Sequence, residues 1–269
     1  MPLVSVLLAV HDDTRFLREA VDSVLVQTLA DLELILIDDG SAKAVENFDD
    51  GRVTVLRNDT QLGLAASLNR ALDAASGRYV ARLDADDVAL PHRLERQVER
   101  LRGRPAVVGS AIVDVDERGA RGRTHVMPQR TIELRWHALF SSPFFHPTVL
   151  VDREMLDAHS LRYNPEFLES EDYDLWTRLF EHADGENLRE PLVLKRVHAG
   201  QASQRRRDVQ ESFRRRVAFR EIARVAPNVD PEAVWRGSRT ELVRLLRAFE
   251  RLHGADWSVR WAAAKALVR

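Results

Sequence analysis

The chain of 269 residues contains no cysteine, so it can build neither a disulfide framework, nor a thiolate nucleophile, nor a cysteine-ligated zinc site. Nowhere do about 18 apolar residues run together, the least a membrane-crossing helix needs. The first residues enter a strand pattern at once, with no basic segment followed by a long apolar one, so neither a signal peptide nor a membrane span is expected. The expected compartment is therefore the cytoplasm, with at most peripheral contact at the inner face of the membrane. Glycine is missing where a dinucleotide-binding fold requires it, since His11-Asp12-Asp13-Thr14 follows the first strand. The pattern Gly-x4-Gly-Lys-Ser/Thr is absent as well, which removes a phosphate-cradling loop of that kind. A formal net charge of -2 gives no overall pull toward nucleic acid. There is no internal repeat and no low-complexity run.

What is present is an ordinary globular balance of 45% hydrophobic and 30% charged residues, long enough to bury a sizeable core. Short apolar runs at Val4–Val10, Leu32–Ile37, Val53–Leu56 and Tyr79–Leu83 predict buried strands. Between them, three- and four-residue spacing from Phe16 to Leu25 and from Leu64 to Ala75 predicts helices. The first would be capped by Asp13 or Thr14 and the second closed by Gly77. Strands alternating with helices imply an α/β fold with a mainly parallel sheet covered on both faces. Further on, a helix is expected from Pro91 to Arg102. A strand over Val107–Val115 should be broken by Gly109 and Ser110, and residues 116–129 should make a surface excursion. A helix near Ile132–Leu139 precedes the stiff loop 141–147 and a strand from Thr148 to Val151. A helix then starts at Ser170 and runs to about Glu181, and a late strand covers Leu192–His198.

Three acidic clusters follow strands: His11 to Asp13 after the first, Asp38-Asp39 after the second, and Asp84-Ala85-Asp86-Asp87 after the fourth. In a parallel sheet all three fall at one rim, where ligands collect. Three carboxylates in four positions are costly unless a cation neutralises them, although an acidic turn that merely stops a strand has the same composition. A calcium loop starting at Asp84 fails, because Val88 and Ala89 stand where an oxygen ligand and glycine belong. Two carboxylates at i and i+2 instead suit a divalent ion that also takes oxygens from a diphosphate.

These residues, with Leu62-Gly63-Leu64-Ala65, Asn69, Pro91, Arg93 and Leu94, resemble a family 2 glycosyltransferase of the GT-A fold over roughly residues 3–105. Glu171-Asp172-Tyr173-Asp174-Leu175-Trp176 and His198-Ala199-Gly200-Gln201-Ala202-Ser203 are similar to two later motifs of that family. The resemblance implies an inverting, metal-dependent transfer of a sugar from a nucleoside-diphosphate sugar, commonly UDP-linked, to the hydroxyl of a saccharide, lipid-linked or other acceptor. It implies nucleotide-sugar contacts from Ala9, His11, Asp38, Asp39, Gly63, Asn69, Asp84 and Ala85. Asp86 and His198 would hold Mn2+ or Mg2+, and Asp172 would be the general base, with Glu171 as second choice. Without the resemblance, the acidic residues of the 171–174 turn need only complement a helix dipole, and His198 could be a surface loop residue. Trp176 and Phe145 are candidate apolar faces for a sugar, or core. A sugar-nucleotide pyrophosphorylase, and a sugar-nucleotide-binding module or scaffold without turnover, are the competing functions.

The tail has a different character, with Lys and Arg outnumbering Asp and Glu roughly two to one after Gln201. Charge triplets at 205–207 and 214–216 lie in a helical pattern. Helices are expected near Pro231–Trp235 and Glu241–Leu252, and a last one carries Trp257 and Trp261 on one face. Residues 1–205 are thus expected to form the catalytic domain and 206–269 a basic helical extension. These helices are expected to pack on the sheet domain and leave a basic outer face; a peripheral membrane contact, an acidic partner or a homodimer through them is the alternative use.

Overall fold

The structure, a computed structural model, describes residues 1–102, 105–198 and 207–268. Strands β1 (Val4–Val10), β2 (Leu32–Asp38), β3 (Val53–Arg57) and β4 (Tyr79–Arg82) alternate with helices α1 (Leu17–Leu25) and α2 (Leu64–Ala74). They pair in parallel in the order β3-β2-β1-β4. The sequence shows these strands as apolar runs because both faces are covered. Val4, Val6, Leu8, Leu34 and Leu36 pack with α1, while Leu7, Ile35 and Ile37 pack with α2 on the other side.

The second half of the sheet is built from β5 (Val88–Ala89), β6 (Val107–Val115), β7 (Arg121–His125), β8 (Leu150–Asp152) and β9 (Gly185–Arg196). Helices α3 (Arg93–Leu101), α4 (Thr131–His137), α5 (Arg153–Ala158) and α6 (Glu171–Leu179) intervene, and a 3-10 turn at His146–Thr148 leads into β8. This half is mixed: β8 runs antiparallel to β4 and β6, β7 to β6, and β5 to β9, whereas β6 and β9 are parallel. The connection from β6 to β7 is too short for a crossover, so the chain can only return antiparallel.

Several expectations are corrected here. Helix α1 has Phe16 as its N-cap with no side-chain cap, because Asp13 is taken by the guanidinium of Arg15. Helix α2 ends at Ala74, short of Gly77. Strand β6 runs unbroken through Gly109 and Ser110. A Cβ at Gly109 would lie 2.1 Å from Asn187 Oδ1 and 2.8 Å from Phe144, so the missing side chain admits the Asn187 amide, which donates to the carbonyls of Pro128 and Pro143. The 116–129 excursion contains β7, and the late strand starts at Gly185 rather than Leu192. Pro191 sits at a register shift between β6 and β9, which is how a strand accommodates proline.

The tail forms α7 (Arg207–Val225), α8 (Pro231–Trp235), α9 (Arg239–His253) and α10 (Trp257–Val268). Asp230 and Ser238 cap α8 and α9. Ile222, Leu245 and Phe249 of these helices close one apolar cluster with Trp136 and Leu139, so the tail shares a core with the region of α4. The first charge triplet and residues 199–203 of the late His motif lie outside the described residues, apart from the backbone of Arg207 in α7.

Candidate active site

Strand β4 last pairs with β1 at Arg82 opposite Leu7, while β1 continues beside β2 to Val10 opposite Asp38. The order β3-β2-β1-β4 reverses between β1 and β4, and the sheet opens there, the place where parallel sheets bind ligands. The turn after β4 fills this opening. Asp84, Asp86 and Asp87 each bring a carboxylate oxygen within 4.8 Å of the others.

The three carboxylates differ. Burial works to raise Asp84, but the guanidinium of Arg82, which donates to it, and Lys195 hold it below the ordinary carboxylate range. Asp86 is raised by burial and then by the charge of Asp84, against a hydrogen bond with His198. Asp87 is pushed well up by burial and by both neighbouring charges. Its Oδ1 accepts from the backbone N–H of Arg196 at 2.9 Å, and its buried Oδ2 has no partner among the described residues. An orphaned carboxylate oxygen beside two others is the donor set of a hard divalent cation, so these residues fit one.

His198 is no surface residue. It is 7% exposed, with Nε2 3.0 Å from Asp86 Oδ2 and Nδ1 3.4 Å from Arg15 Nη2. Arg196, just before it, is fully buried and donates to the carbonyls of Asp86 and Asp116 and to Glu19, fixing the backbone under the acidic turn.

On the β2 side, Asp38 and Asp39 are nearly inaccessible. Burial works to raise both, but donors hold them low. Asp38 accepts from the N–H groups of Ser41 and Val45 and from Arg57. Oδ1 of Asp39 accepts from Asn58 Nδ2 at 2.7 Å and Leu62 N at 2.9 Å, and its Oδ2 from Gly63 N at 2.9 Å. Gly63 has φ +90°, which lets the loop turn its N–H inward at the start of α2. Ala9 is half-buried at the end of β1 and Ala85 in the acidic turn. His11 follows β1, with Nδ1 2.8 Å from the carbonyl of Asp39. Asn69 is placed otherwise than expected: both ends of its amide bond the backbone of Tyr163, at 2.8 and 2.9 Å.

The opposite wall is the first turn of α6, with Ser170 at its N-cap. Glu171 is raised to about 8, first by burial and then by Asp172, and Asp172 is raised to about 6 by burial, with Asp84 adding to the rise. The Ser142 hydroxyl donates to Asp172 Oδ2 at 3.0 Å and opposes that rise. Burial also keeps His146 neutral, at about 3, and its ring nitrogen lies 3.0 Å from the Tyr163 hydroxyl. In the same first turn, the buried Asp174 is paired with Arg178 and with Arg220 of α7, the latter at 2.5 Å. Trp176, 1% exposed, packs on Phe144, and Phe145 packs on the sheet core, so both are core rather than sugar platforms.

Sequence reasoning gave no role to Arg82, Arg196, Ser142, His146 or Tyr163. Arg82 had a usable signal, a lone cation at the end of an apolar strand next to three acids. Ser142 had none, since its partner is 30 positions away.

Comparison with known proteins places this geometry. Residues 5–159 match the family model described as Glycosyl transferase family 2. The chain is 36% identical over 207 residues to EpsE of Bacillus subtilis (strain 168), itself named a glycosyltransferase, covering 71% of this chain and 72% of that one. It is 31% identical over 180 residues to WfgD of Escherichia coli, named a UDP-Glc:alpha-D-GlcNAc-diphosphoundecaprenol beta-1,3-glucosyltransferase, covering 65% and 68% of the two chains. Residues 1–349 of S. aureus TarS, solved with UDP-GlcNAc, superpose with a TM-score of 0.61 at 16% identity, over 98% of this chain and 88% of that one. At that identity the likeness is one of fold, and it extends through the tail.

Proposed function

The chain belongs to glycosyl transferase family 2 and is an enzyme of the glycosyltransferase type; from that premise we propose that it transfers a sugar from a UDP-linked donor to an acceptor hydroxyl, with inversion at the anomeric carbon. One observation carries the mechanism: the half-buried carboxylate of Asp172, beside the more deeply buried Glu171, is raised to about 6 across the opening from the acidic turn.

The donor lies along the ends of β1, β2 and β4. Asp39 accepts from the base through Oδ2, which also takes the N–H of Gly63, while Asp38 holds the loop that borders it. Ala9, His11 and Gly63 line the nucleotide, and Asp84 and Ala85 meet the ribose side. Asp86 and His198, with Asp87 beside them, would hold Mn2+ or Mg2+. Such a cation, when bound, neutralises the diphosphate leaving group as a Lewis acid.

Asp172 takes the proton from the attacking hydroxyl. Above about pH 6 it is ionised, and a base with a pKa slightly below the working pH is well matched to this task. Ser142 holds Oδ2 in place and leaves Oδ1 to receive the proton. Glu171, raised to about 8, keeps its own proton near neutrality, so it adds no second charge beside the base. Attack from the side opposite the diphosphate inverts the anomeric centre through an oxocarbenium-like state. UDP-Glc and UDP-GlcNAc in the names of WfgD and of the TarS complex support the donor class. The WfgD name supports a lipid-diphosphate-linked saccharide as acceptor. Residues 1–205 carry this chemistry, and the helices of 206–269 brace it.

Calorimetry of the protein with Mn2+ against UDP-, GDP- and dTDP-sugars tests the proposal. Binding of a UDP-sugar is expected, and binding of none would end it. Asp172→Asn should keep that binding and lose ~100- to 10,000-fold in kcat; unchanged turnover would remove Asp172 as base.

A further inference from the structure

Helix α10 buries Val259 and Ala263 against its neighbours and turns two tryptophans outward: Trp257 is 76% exposed and Trp261 58%. No other aromatic side chain appears among the exposed large apolar residues described, whereas Trp136 and Trp176 are 5% and 1% exposed. The pair stands one helical turn apart, so both rings share one face. Lys265, a turn further, lies with Nζ 3.3 Å from the centre of the Trp261 ring. Residues 257–268 contain no carboxylate. On the adjoining helix α9, Arg247 and Arg251 are exposed and make no ion pair among the described residues, and Leu252 beside them is 61% exposed.

We propose that the exposed indoles of α10, with the exposed arginines of the adjoining α9, seat the enzyme on an anionic lipid bilayer. Tryptophan prefers the boundary between headgroups and acyl chains, where its ring is shielded and its N–H stays wet. Twelve residues of helix span about 18 Å, too short to cross a bilayer, so α10 lies in the plane of the interface. The unpaired arginines and Lys265 complement the negative headgroups. A second copy of the chain is the poorer occupant, since a two-fold contact through this face would bring the same cations together. An acidic protein would satisfy the arginines but gives no reason for two exposed indoles in place of aliphatic side chains.

The test is flotation with vesicles of phosphatidylglycerol and phosphatidylethanolamine against vesicles of phosphatidylcholine alone, read without turnover and so independently of the donor and acceptor assignments. The protein should float with the anionic vesicles, and its tryptophan emission should shift to the blue as the two indoles leave water. Trp257→Ala with Trp261→Ala should weaken that binding by at least ~10-fold, since two buried rings are removed. Arg247→Glu with Arg251→Glu should weaken it comparably, with an unchanged melting temperature in both cases because the four side chains are exposed. Absence of binding, equal binding to both vesicle types, or a dimer that the double tryptophan variant turns into monomer would overturn the proposal.

Discussion

At Asp172, the proposed base, two influences compete, and under that proposal their balance sets the working range of the enzyme. Burial lifts the carboxyl to about 6, and the Ser142 hydroxyl pulls it down by stabilising the charged form. A general base acts in its ionised form, so under the proposed mechanism the rate should fall as pH drops through about 6. Ser142→Ala removes the opposing hydrogen bond, so the carboxyl rises further and the acid limb of kcat/KM against pH moves toward neutrality. A limb that stays in place would show that Ser142 does not act through Asp172. The main acids of the site were legible in the chain, because Asp84 to Asp87 follow an apolar run and Glu171-Asp172 open a helix. Their partners were not, because Ser142 meets Asp172 and Arg196 meets Asp86 only after the chain has folded across 30 and 110 positions.

Among the elements, the pairing of β6 with β9 matters most to the site, since β9 ends at Arg196, which supports the acidic turn from below. Gly109 makes that pairing possible by admitting the Asn187 side chain. Gly109→Ala should therefore destabilise the protein by about 1–3 kcal/mol, the usual cost of overfilling a packed site, measured as a lower urea midpoint at constant slope. An unshifted midpoint would mean that the two strands part more readily than their packing suggests. Strands β1 to β4 could be read directly because burial of both faces leaves no polar alternation. Strand β7, Arg121-Gly122-Arg123-Thr124-His125, has no aliphatic residue and is held by its ladder to β6, so hydrophobic patterning could not reveal it. The first half of β9 was hidden by Pro191, which reads as a break when its register shift is not visible.

At the scale of the molecule, the acidic turn holds more negative charge than its immediate surroundings neutralise, and a ligand that binds only the folded state raises stability by mass action. Mn2+ should raise the melting temperature of the wild-type protein, and a chelator should reverse the gain. Asp86→Ala should melt at the same temperature with or without the ion. An equal rise in that variant would place the cation elsewhere. The tail was legible as basic helices that pack on the sheet domain, but the residues they pack against were not. Its apolar positions gave no sign that they would close a core with Trp136 and Leu139, because that contact spans about a third of the chain.

The pairing of Asp174 with Arg220 bears on when the enzyme can come into being. The helix that carries the base has a buried charge in its first turns, and one of the two arginines that answer it lies 46 residues downstream in α7. During synthesis that helix emerges with only Arg178 beside the acid, and leaving such a charge incompletely matched in a closing core is unfavourable. The first turn of α6 therefore has both charge partners of Asp174 only once α7 has been made.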